Sequence, residues 1–404
     1  MEILHIEDLT FRYPDAPRPA LQNVSLSVSD GEFAVICGVS GCGKSTLLRL
    51  IKRELAPFGE KSGVIMYYGQ PQEALDLRTE CTGIGFVQQR PESQIVTDKV
   101  WHELAFGLES LGLPAEAIRR RVCETAAYFG IEAWFRQNTA ELSGGQKQLL
   151  NLAGVTVMQP KLLLLDEPTA QLDPIAAADF ITTLHKLNRE LGITVLLVEH
   201  RLEEVLPIAD RVILMEDGAI GFDGSPRRFA DSLSRNGEHP MASALPASAK
   251  IFRDLGESGE CPLTVREGRD FISSTFENRI RALTEKSAPE RAEKAVRVRD
   301  IRFRYARESA DILRDVSLDV CRGEHLCLLG GNGTGKTTLL GILSGALKPY
   351  HGTVTLDGKK LGAYGAKDLY HKNIAVLPQD PQTVFLKKTV CEDLRETCRA
   401  MEYD

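Results

Sequence analysis

The chain contains one kind of glycine-rich loop twice, and this repetition constrains the fold more than any other feature. The loop reads GVSGCGKS at residues 38–45 and GGNGTGKT at residues 330–337. Each copy follows an apolar, strand-like run and precedes a leucine-rich, helix-like run. In that context the pattern G-x-x-x-x-G-K-[ST] points backbone N–H groups at phosphate oxygens, and its lysine reaches the terminal phosphates. The sequence therefore predicts two phosphate-binding loops, each between a strand and a helix.

A constant spacing links the two loops to the residues around them. Lys44 and Lys336 are 292 positions apart, as are Tyr13 and Tyr305. The segments FRYPDAPRPALQNVSLSVSDGE and FRYARESADILRDVSLDVCRGE align at that offset without a gap. FVQQRP and VLPQDP follow at an offset of 290. Such long-period similarity predicts a duplicated domain.

The order of apolar runs predicts an α/β fold class, as a tandem repeat with an incomplete second copy. Short β-branched or aliphatic runs alternate with longer amphipathic stretches, and Gly, Pro or Asp residues bound each run. This alternation favours a mostly parallel sheet with helices around it. We predict a complete domain at 1–232, a linker with some helix at 233–294, and the N-terminal part of a second domain at 295–404.

Composition argues against several classes of protein. The net charge of −7 gives no sign of a nucleic-acid-binding surface, so we predict no nucleic-acid partner. The nine cysteines contain no Cys-x-x-Cys pair and predict reduced thiols. Cys42, inside the first loop, is either a packing residue or a reactive thiol. The N-terminus lacks a secretory signal, and the aliphatic runs are far shorter than the roughly 20 residues that cross a bilayer.

Three later segments follow the first loop. ELSGGQKQLLNLAG at 141–154 places a serine and two glycines just before a helix. KLLLLDEPTAQLDP at 161–174 is a buried strand ending in two carboxylates, and TVLLVEHRLEEV at 194–205 is a strand ending in a histidine. With the glycine loop, these motifs resemble the nucleotide-binding domain of ATP-binding cassette (ABC) proteins over almost the whole first copy. The resemblance implies a P-loop NTPase fold of the ABC ATPase type, with a mixed-sheet core and a helical subdomain.

The resemblance also implies ATP and Mg²⁺ as ligands, and it assigns roles to individual residues. Glu167 would be the general base on water, His200 would hydrogen-bond the γ-phosphate, and Gln89 would contact Mg²⁺ and the attacking water. Asp173 would couple two nucleotide sites. The implied metal ligands are Ser45, Gln89, Asp166, Thr337 and Gln379. The implied ATP-binding residues are Tyr13, Gly38, Val39, Ser40, Gly41, Cys42, Gly43, Lys44, Ser45, Thr46, Ser143, Gly144, Gly145, Gln146, Tyr305, Gly330, Gly331, Asn332, Gly333, Thr334, Gly335, Lys336, Thr337 and Thr338. From the residues alone, Tyr13 could equally pack a strand and Gln89 could be a polar loop residue.

The family sandwiches ATP between the glycine loop of one domain and the Ser-Gly-Gly segment of its partner, so two domains in one chain would act as a tethered pair. The offset of 292 places a second signature near position 435, a second glutamate near 459 and a second histidine near 492, all beyond position 404. The sequence therefore predicts a fragment of a protein of about 520 residues, with a natural short form as the alternative. We expect this chain to bind ATP but to hydrolyse it poorly unless two chains pair through their first domains.

Among ABC machines, the chain is most similar to the duplicated ATPases of energy-coupling-factor importers, which carry vitamins or transition-metal ions. The segment QQRPESQIVTDKVWHELAFGLESLGLP at 88–114 supports this similarity. It implies an integral membrane transporter subunit, a substrate-capture subunit and a peripheral place on the cytoplasmic face of the membrane. One alternative is a soluble ABC-type translation factor, whose strongly charged linker the mixed segment 233–294 fits poorly. A DNA-repair or chromosome ATPase would need zinc modules or long heptads, which the sequence does not show.

Overall fold

The computed structural model describes residues 1–235, 239–256, 259–276, 293–371 and 373–401. The chain divides into two compact units, Met1–Arg281 and Ala282–Asp404. Each unit contains one of the two glycine loops.

The first unit is built on two sheets. Its strands are β1 (Glu2–Arg12), β2 (Leu21–Ser29), β3 (Phe33–Cys37), β4 (Glu60–Tyr67), β5 (Gln70–Pro71), β6 (Ile84–Val87), β7 (Leu162–Asp166), β8 (Thr194–Val198), β9 (Arg211–Glu216) and β10 (Ala219–Gly224). One sheet is antiparallel, with the order β2–β1–β4–β5. The other has the order β10–β9–β3–β8–β7–β6, with β10 antiparallel to β9 and the other neighbours parallel. This mixed sheet confirms the predicted α/β fold class.

Helices pack on the mixed sheet and divide its surroundings into two cores. They are α1 (Lys44–Ile51), α2 (Leu77–Gly83), α3 (Val100–Ser110), α4 (Ala115–Phe129), α5 (Gly144–Thr156), α6 (Pro174–Leu191) and α7 (Pro226–Arg235). Because successive strand residues point to opposite faces, Phe33, Val35 and Cys37 pack with α3 to α6, whereas Ala34 and Ile36 pack with α1 and the antiparallel sheet. All five are buried, so β3 reads as a continuous apolar run. No helix in the described part of the chain is both long and apolar enough to span a bilayer.

The packed part of the first unit extends beyond the predicted boundary at 232. Two further helices follow, α8 (Ala247–Asp254) and α9 (Val265–Phe276). Met241, Leu245 and Phe252 are buried in the same core as Leu233. The sequence suggests a linker here because Pro, Gly and Ser residues interrupt the apolar positions. In the structure these short helical segments bury their apolar residues against the first unit.

The second unit repeats the strand order of the first antiparallel sheet. Its elements are β11 (Lys294–Phe303), β12 (Leu313–Cys321), α10 (Lys336–Leu343), β13 (His351–Leu356), β14 (Lys359–Lys360), α11 (Ala366–Tyr370) and α12 (Val390–Ala400). The order β12–β11–β13–β14 corresponds to β2–β1–β4–β5. A small core centred on Val298, Ile301 and Leu339 lies between this sheet and α10.

The run before the second loop differs from its counterpart. The sequence predicts a strand before each loop, but residues 325–330 belong to no strand. Leu329 is 87% exposed, whereas every residue of β3 is buried. A strand is held by hydrogen bonds to neighbouring strands, and β3 has β8 and β9 on either side. Within the described residues of the second unit, no strand pairs with this run.

Candidate active site

The carboxyl ends of four parallel strands meet at one edge of the mixed sheet. β3 leads into the first glycine loop, and the segments after β6, β7 and β8 carry the three predicted catalytic side chains. The register pairs both Ile36 and Asp166 with Val198, so the ends of β3, β8 and β7 are level with one another. Open α/β sheets bind ligands at such an edge. Pairing of distant strands therefore brings together motifs that lie far apart in the sequence.

The first glycine loop is shaped by positions that require glycine. Gly38 has a φ of +148° and Gly43 a φ of +102°, and a Cβ at either would lie within 2.5 Å of a backbone carbonyl oxygen. Only glycine adopts such backbone without strain. The Nζ of Lys44 donates to the carbonyl oxygens of Gly38 at 2.9 Å and Val39 at 3.0 Å. Cys42 is buried, with its Sγ 3.7 Å from the same Nζ.

Ser45, the second residue of α1, faces the end of β7. Its Oγ donates a 2.8 Å hydrogen bond to Asp166 Oδ1. Burial raises the pKa of Asp166, while the Ser45 hydrogen bond acts in the opposite direction. The hydroxyl of Ser45 and the carboxylate of Asp166 together offer hard oxygen ligands. Such a pair suits Mg²⁺, because that ion takes few protein ligands alongside phosphate oxygens.

Glu167 is the centre of the predicted catalytic set. Its Oε1 lies 2.8 Å from His200 Nε2, and its Oε2 accepts a 3.0 Å hydrogen bond from Gln89 Nε2. Glu167 has a φ of +47°, in the left-handed region that non-glycine residues seldom occupy. Its backbone N–H donates to the carbonyl oxygen of Val198 at 3.0 Å, which holds it beside the end of β8. The structure therefore brings the three predicted catalytic residues into direct contact.

Side-chain amides, two of them buried, hold the segment that carries Gln89, and the sequence did not single them out. Gln94 accepts from the backbone N–H of Gln88 at 2.9 Å and donates to the carbonyl oxygen at the end of β6. Gln148 donates to the Gln88 carbonyl at 3.1 Å, and Asn151 donates to the Pro91 carbonyl at 3.2 Å. Both belong to α5, so the helix after the Ser-Gly-Gly segment supports the Gln89 loop. Polar residues on the buried face of an otherwise apolar helix were the available signal.

The Ser-Gly-Gly segment forms the N-terminus of α5 through a capping box. The Ser143 side chain accepts from the Gln146 backbone N–H at 3.3 Å, and the Gln146 side chain accepts from the Ser143 N–H at 2.9 Å. A Cβ on Gly145 would lie 3.2 Å from the Cβ of Ala176. Asp173 caps α6 by accepting from two of its first N–H groups. The start of α5 therefore packs directly on the start of the helix that Asp173 caps.

Tyr13 lies next to the first glycine loop and helix. Its hydroxyl is 3.0 Å from Thr46 Oγ1, and its ring meets Phe11 edge to face at 5.0 Å. The ring borders a cavity of about 500 Å³ that Phe58 also lines. Phe58 is 88% exposed. The offset of 292 places Tyr350 at the position that matches Phe58. This repeated aromatic residue could have indicated from the sequence that Phe58 belongs to the site.

A second cavity, of about 450 Å³, connects the Gln89 loop to the carboxylate of Asp166. Arg49, one turn after Ser45 on α1, lines it together with Arg90. The guanidinium of Arg49 is among the charges that lower the pKa of Asp166. Positive side chains therefore border the acidic edge on the side of the Gln89 loop.

The predicted residues of the second unit repeat only the local part of this arrangement. Lys336 Nζ donates to the carbonyl oxygens of Gly330 at 2.7 Å and Gly331 at 2.6 Å. The hydroxyl of Tyr305 is 3.2 Å from Thr338 Oγ1. Residues 330–338 thus form the same loop and helix start as residues 38–46. Thr337 follows Lys336 on α10, and Gln379 is exposed in a bend.

Comparison with known protein families agrees with the site described above. A model of the ABC transporter family matches residues 21–170 and 313–403. The chain belongs to the ABC transporter ATP-binding family. It is an ATPase of the ABC type, which agrees with the predicted catalytic residues gathered at the sheet edge, and members of the family bind ATP.

Similar proteins cover nearly the whole chain. A Bacillus cereus protein assigned to the ABC transporter ATP-binding proteins is 42% identical over 401 residues, which are 98% of this chain and 71% of that protein. A Methanosarcina mazei protein with the same assignment is 32% identical over 412 residues, covering 97% of this chain and 69% of that protein.

Solved structures of ABC cassettes resemble more than half of the chain. CbiO1 from Clostridium perfringens, part of the ABC transporter complex CbiONQ, is 31% identical with a TM-score of 0.52, covering 60% of this chain and 98% of its own. An ATP-binding cassette in a dimeric post-hydrolysis state bound to ADP and Pi is 27% identical with a TM-score of 0.50. The match covers 56% of this chain and 99% of that cassette. These neighbours confirm the P-loop ABC ATPase fold.

Proposed function

We propose that the first unit binds MgATP at the sheet edge and hydrolyses it, and that this reaction energises import of a small solute through a separate membrane protein. The observation that carries the proposal is the arrangement of two adjacent carboxylates. Glu167 contacts Gln89 and His200 at 3.0 and 2.8 Å, while Asp166 binds Ser45 at 2.8 Å. This arrangement supports proton transfer by Glu167 and metal binding by Asp166.

The first loop would bind the triphosphate. The loop N–H groups and the N-terminus of α1 favour an anion, and Lys44 supplies a full positive charge beside them. The Lys44 ammonium now donates to neutral carbonyl oxygens, and charged phosphate oxygens are stronger acceptors. Tyr13 borders the cavity nearest this loop and would stack on the adenine ring. We assign residues 38–46 to this site.

Ser45 and Asp166 would hold Mg²⁺, with Gln89 beside them. Because the Gln89 amide nitrogen donates to Glu167, its oxygen is the atom suited to a cation. When bound, the ion supplies positive charge that neutralises the phosphate oxygens.

Glu167 would act as general base in the hydrolytic step. It takes a proton from water as the water oxygen bonds to the γ-phosphorus and the bond from phosphorus to ADP breaks. Gln89 and His200 fix the two carboxylate oxygens in place, and we assign to His200 a hydrogen bond to the γ-phosphate as well. Proton transfer by a positioned carboxylate contributes roughly 10² to 10⁴ in rate.

Further predicted residues would serve a second nucleotide and a second cassette. We propose that residues 330–338, with Tyr305 and Gln379, bind a nucleotide, and that Thr337 ligates its Mg²⁺. We propose that residues 143–146 complete a nucleotide site on another cassette, in cis or in a second copy of the chain. A 27% identical cassette is dimeric with ADP and Pi bound, which supports this pairing. The contact of Gly145 with Ala176, on the helix that Asp173 caps, supports a coupling role for Asp173.

A surface beside the Gln89 loop would receive the membrane subunit. A cavity of about 600 Å³ lies there, lined by Val96, Thr97, Asp98, His102, Phe106, Glu109 and Ser110. Val96, which precedes α3, is 67% exposed, and Trp101, in the first turn of α3, is 43% exposed. Exposed apolar residues with a polar rim are typical of a protein docking site. We call this surface, centred on Val96, Trp101 and Phe106, the docking surface.

The importer we favour is of the energy-coupling-factor type, at the cytoplasmic face of the membrane with a transporter subunit and a substrate-capture subunit. CbiO1, a 31% identical structure, is part of the CbiONQ transporter complex, which supports this choice over a translation factor. Vitamins or transition-metal ions are the proposed solutes. We further propose that residues 1–232 hold the complete cassette, that 233–294 link it onward, and that 295–404 hold part of a second.

Hydrolysis is tested with Glu167→Gln in the full chain. Single-turnover conversion of bound ATP is expected to slow by at least about 100-fold, while affinity for a fluorescent ATP analogue is kept, because only the base is removed. Glu124→Gln, an exposed acid on α4, is the matched control. Wild-type turnover by Glu167→Gln would contradict the proposed chemistry.

The transport role is tested by co-purification from detergent-solubilised membranes of the native cell. The tagged chain is expected to recover an integral membrane protein, and Trp101→Glu is expected to lose it without loss of ATP hydrolysis. Recovery with ribosomes after a moderate-salt wash would instead favour the translation-factor alternative.

A further inference from the structure

Glu199 is a buried carboxylate at the active edge to which no motif assigns a role. It lies between the end of β8 and His200 and is 2% exposed. Its backbone N–H donates to the carbonyl oxygen of Ile36 at 3.2 Å, which extends the pairing of β8 with β3 almost to the glycine loop. Buried carboxylates are costly unless hydrogen-bonded, so its partners indicate what it does.

The Glu199 side chain binds two separate segments of the site. Its Oε1 accepts from the Thr169 backbone N–H at 3.1 Å and from Thr169 Oγ1 at 2.6 Å. Its Oε2 accepts from the backbone N–H of His200 at 3.1 Å. Hydrogen bonds to a carboxylate are roughly twice as strong as neutral ones. One side chain therefore joins the residue after β8 to the turn after β7.

These bonds lie on both sides of the contact between Glu167 and His200. Thr169 is two residues after Glu167, in a turn that continues with a hydrogen bond from the Ala170 N–H to the Glu167 carbonyl. Because Glu199 holds the His200 backbone with its other oxygen, it limits how far the two catalytic backbones can separate.

We propose that Glu199 is a positioning residue that sets the distance between Glu167 and His200, by binding the backbone on either side of them. The proposal rests on the proposed function, because it assumes that these two side chains act together in hydrolysis. The turn from Thr169 leads to Asp173 and α6, which contacts Gly145. Displacement of the Ser-Gly-Gly segment would therefore reach His200 through this carboxylate.

Glu199→Gln is the first test, made in the full chain by single-turnover hydrolysis at saturating ATP. The substitution replaces one carboxylate oxygen with an NH₂ group, which cannot accept a hydrogen bond. Either Thr169 or His200 therefore loses its acceptor. The rate constant is expected to fall about 10-fold with ATP affinity unchanged, since the change leaves the phosphate loop intact. Glu124→Gln is the matched control.

Thr169 supplies a second, milder pair of variants. Thr169→Val removes the Oγ1 donor and is expected to slow hydrolysis several-fold, whereas Thr169→Ser keeps the hydroxyl and is expected to stay near the wild-type rate. Thr182→Val, on the exposed side of α6, is the control for the loss of a threonine hydroxyl. The double variant Thr169→Val with Glu199→Gln is expected to slow hydrolysis by less than the product of the two single effects. The reason is that both changes break the same link.

Unchanged hydrolysis in Glu199→Gln, equal rates for Thr169→Val and Thr169→Ser, or fully multiplicative effects would each overturn the proposal. If Glu199→Gln does not fold, the comparison of the two Thr169 variants decides. Glu167→Gln, measured in parallel, separates the two levels of the argument. If Glu167→Gln is inactive while Thr169→Val hydrolyses ATP at the wild-type rate, only the positioning role is rejected. If Glu167→Gln is fully active, the proposed function is rejected as well.

Discussion

The two glycine loops have nearly the same local geometry. Gly38 and Gly330 have φ values of +148° and +154°, and Lys44 and Lys336 each donate to two carbonyl oxygens of their own loop. Each loop also places a threonine against a tyrosine hydroxyl. This similarity follows from a short stretch of residues, because the glycine positions and the helix start are local features.

The surroundings of the loops differ. The first follows a strand buried between β8 and β9, and Ser45 binds Asp166 at 2.8 Å. The second follows residues 325–330, which form no strand, and no hydrogen bond from Thr337 to a carboxylate occurs among the described residues. The comparison shows that a phosphate loop can form locally, whereas the hydrolytic site depends on strands distant in sequence.

The strongest challenge to this comparison is to remove the two lysines separately. Lys44→Ala is expected to slow single-turnover hydrolysis at least about 100-fold, because its loop leads into Ser45, which binds Asp166 next to Glu167. Lys336→Ala is expected to change the rate less than about 5-fold, since no comparable base faces its loop among the described residues. Cross-linking of an azido-ATP analogue to each unit would show whether both loops still bind nucleotide. Equal losses of hydrolysis would contradict the distinction.

His200→Ala tests whether the side chains at the edge of the mixed sheet contribute to the hydrolytic step as well as to nucleotide binding. We expect the hydrolysis rate constant to fall about 10- to 100-fold and ATP affinity to change by a smaller factor, because His200 contacts Glu167 directly and the phosphate loop keeps its own lysine. His5→Ala, on β1 in the antiparallel sheet, is the control. A change confined to affinity would assign His200 to nucleotide binding alone.

Tyr13 and Tyr305 test the feature that the two units share. Tyr13→Ala is expected to weaken ATP binding to the first unit about 5- to 10-fold, because stacking on a base is lost. Tyr13→Phe keeps the ring and loses only the contact with Thr46, so its affinity should change less than about 2-fold. Titration with a fluorescent ATP analogue measures both, and the Tyr305 pair is expected to behave alike in the second unit. No difference between Ala and Phe would exclude stacking.

The smallest expected effect concerns stability and pH. Burial raises the pKa of Asp166 above its ordinary value of 3.8, so the native state binds this proton more tightly than the unfolded chain does. Wild-type stability from this group is therefore lost as pH rises through the native pKa. Asp166→Asn removes that dependence, and its Tm relative to wild type should increase by a few degrees from acidic to neutral pH. Thermal unfolding at several pH values measures this, and a difference independent of pH would rule it out.

Periodicity and motif spacing predicted much of the first unit. The strand before the glycine loop, the strand that ends at Asp166 and the strand before His200 are continuous apolar runs, and the structure buries them as central parallel strands. Burial of the segment after 232 against the first unit could not be predicted, because isolated apolar residues such as Met241 and Leu245 have no clear period. The sequence did not single out Gln148, for which its place among the buried positions of α5 was the available signal, or Glu199, since a single acid after an apolar run has no local signature.

The amino-acid sequence by itself determined the two glycine loops, the order of the motifs and the ABC family, because these depend on residues close together in the chain. Tertiary structure decided which residues meet at the active edge. The contacts of Glu167 with Gln89 and His200 exist because β6, β7 and β8 are paired in register, and sheet pairing joins segments that the linear sequence separates. Tertiary structure also revealed Glu199, whose position follows from three backbone segments meeting at one side chain.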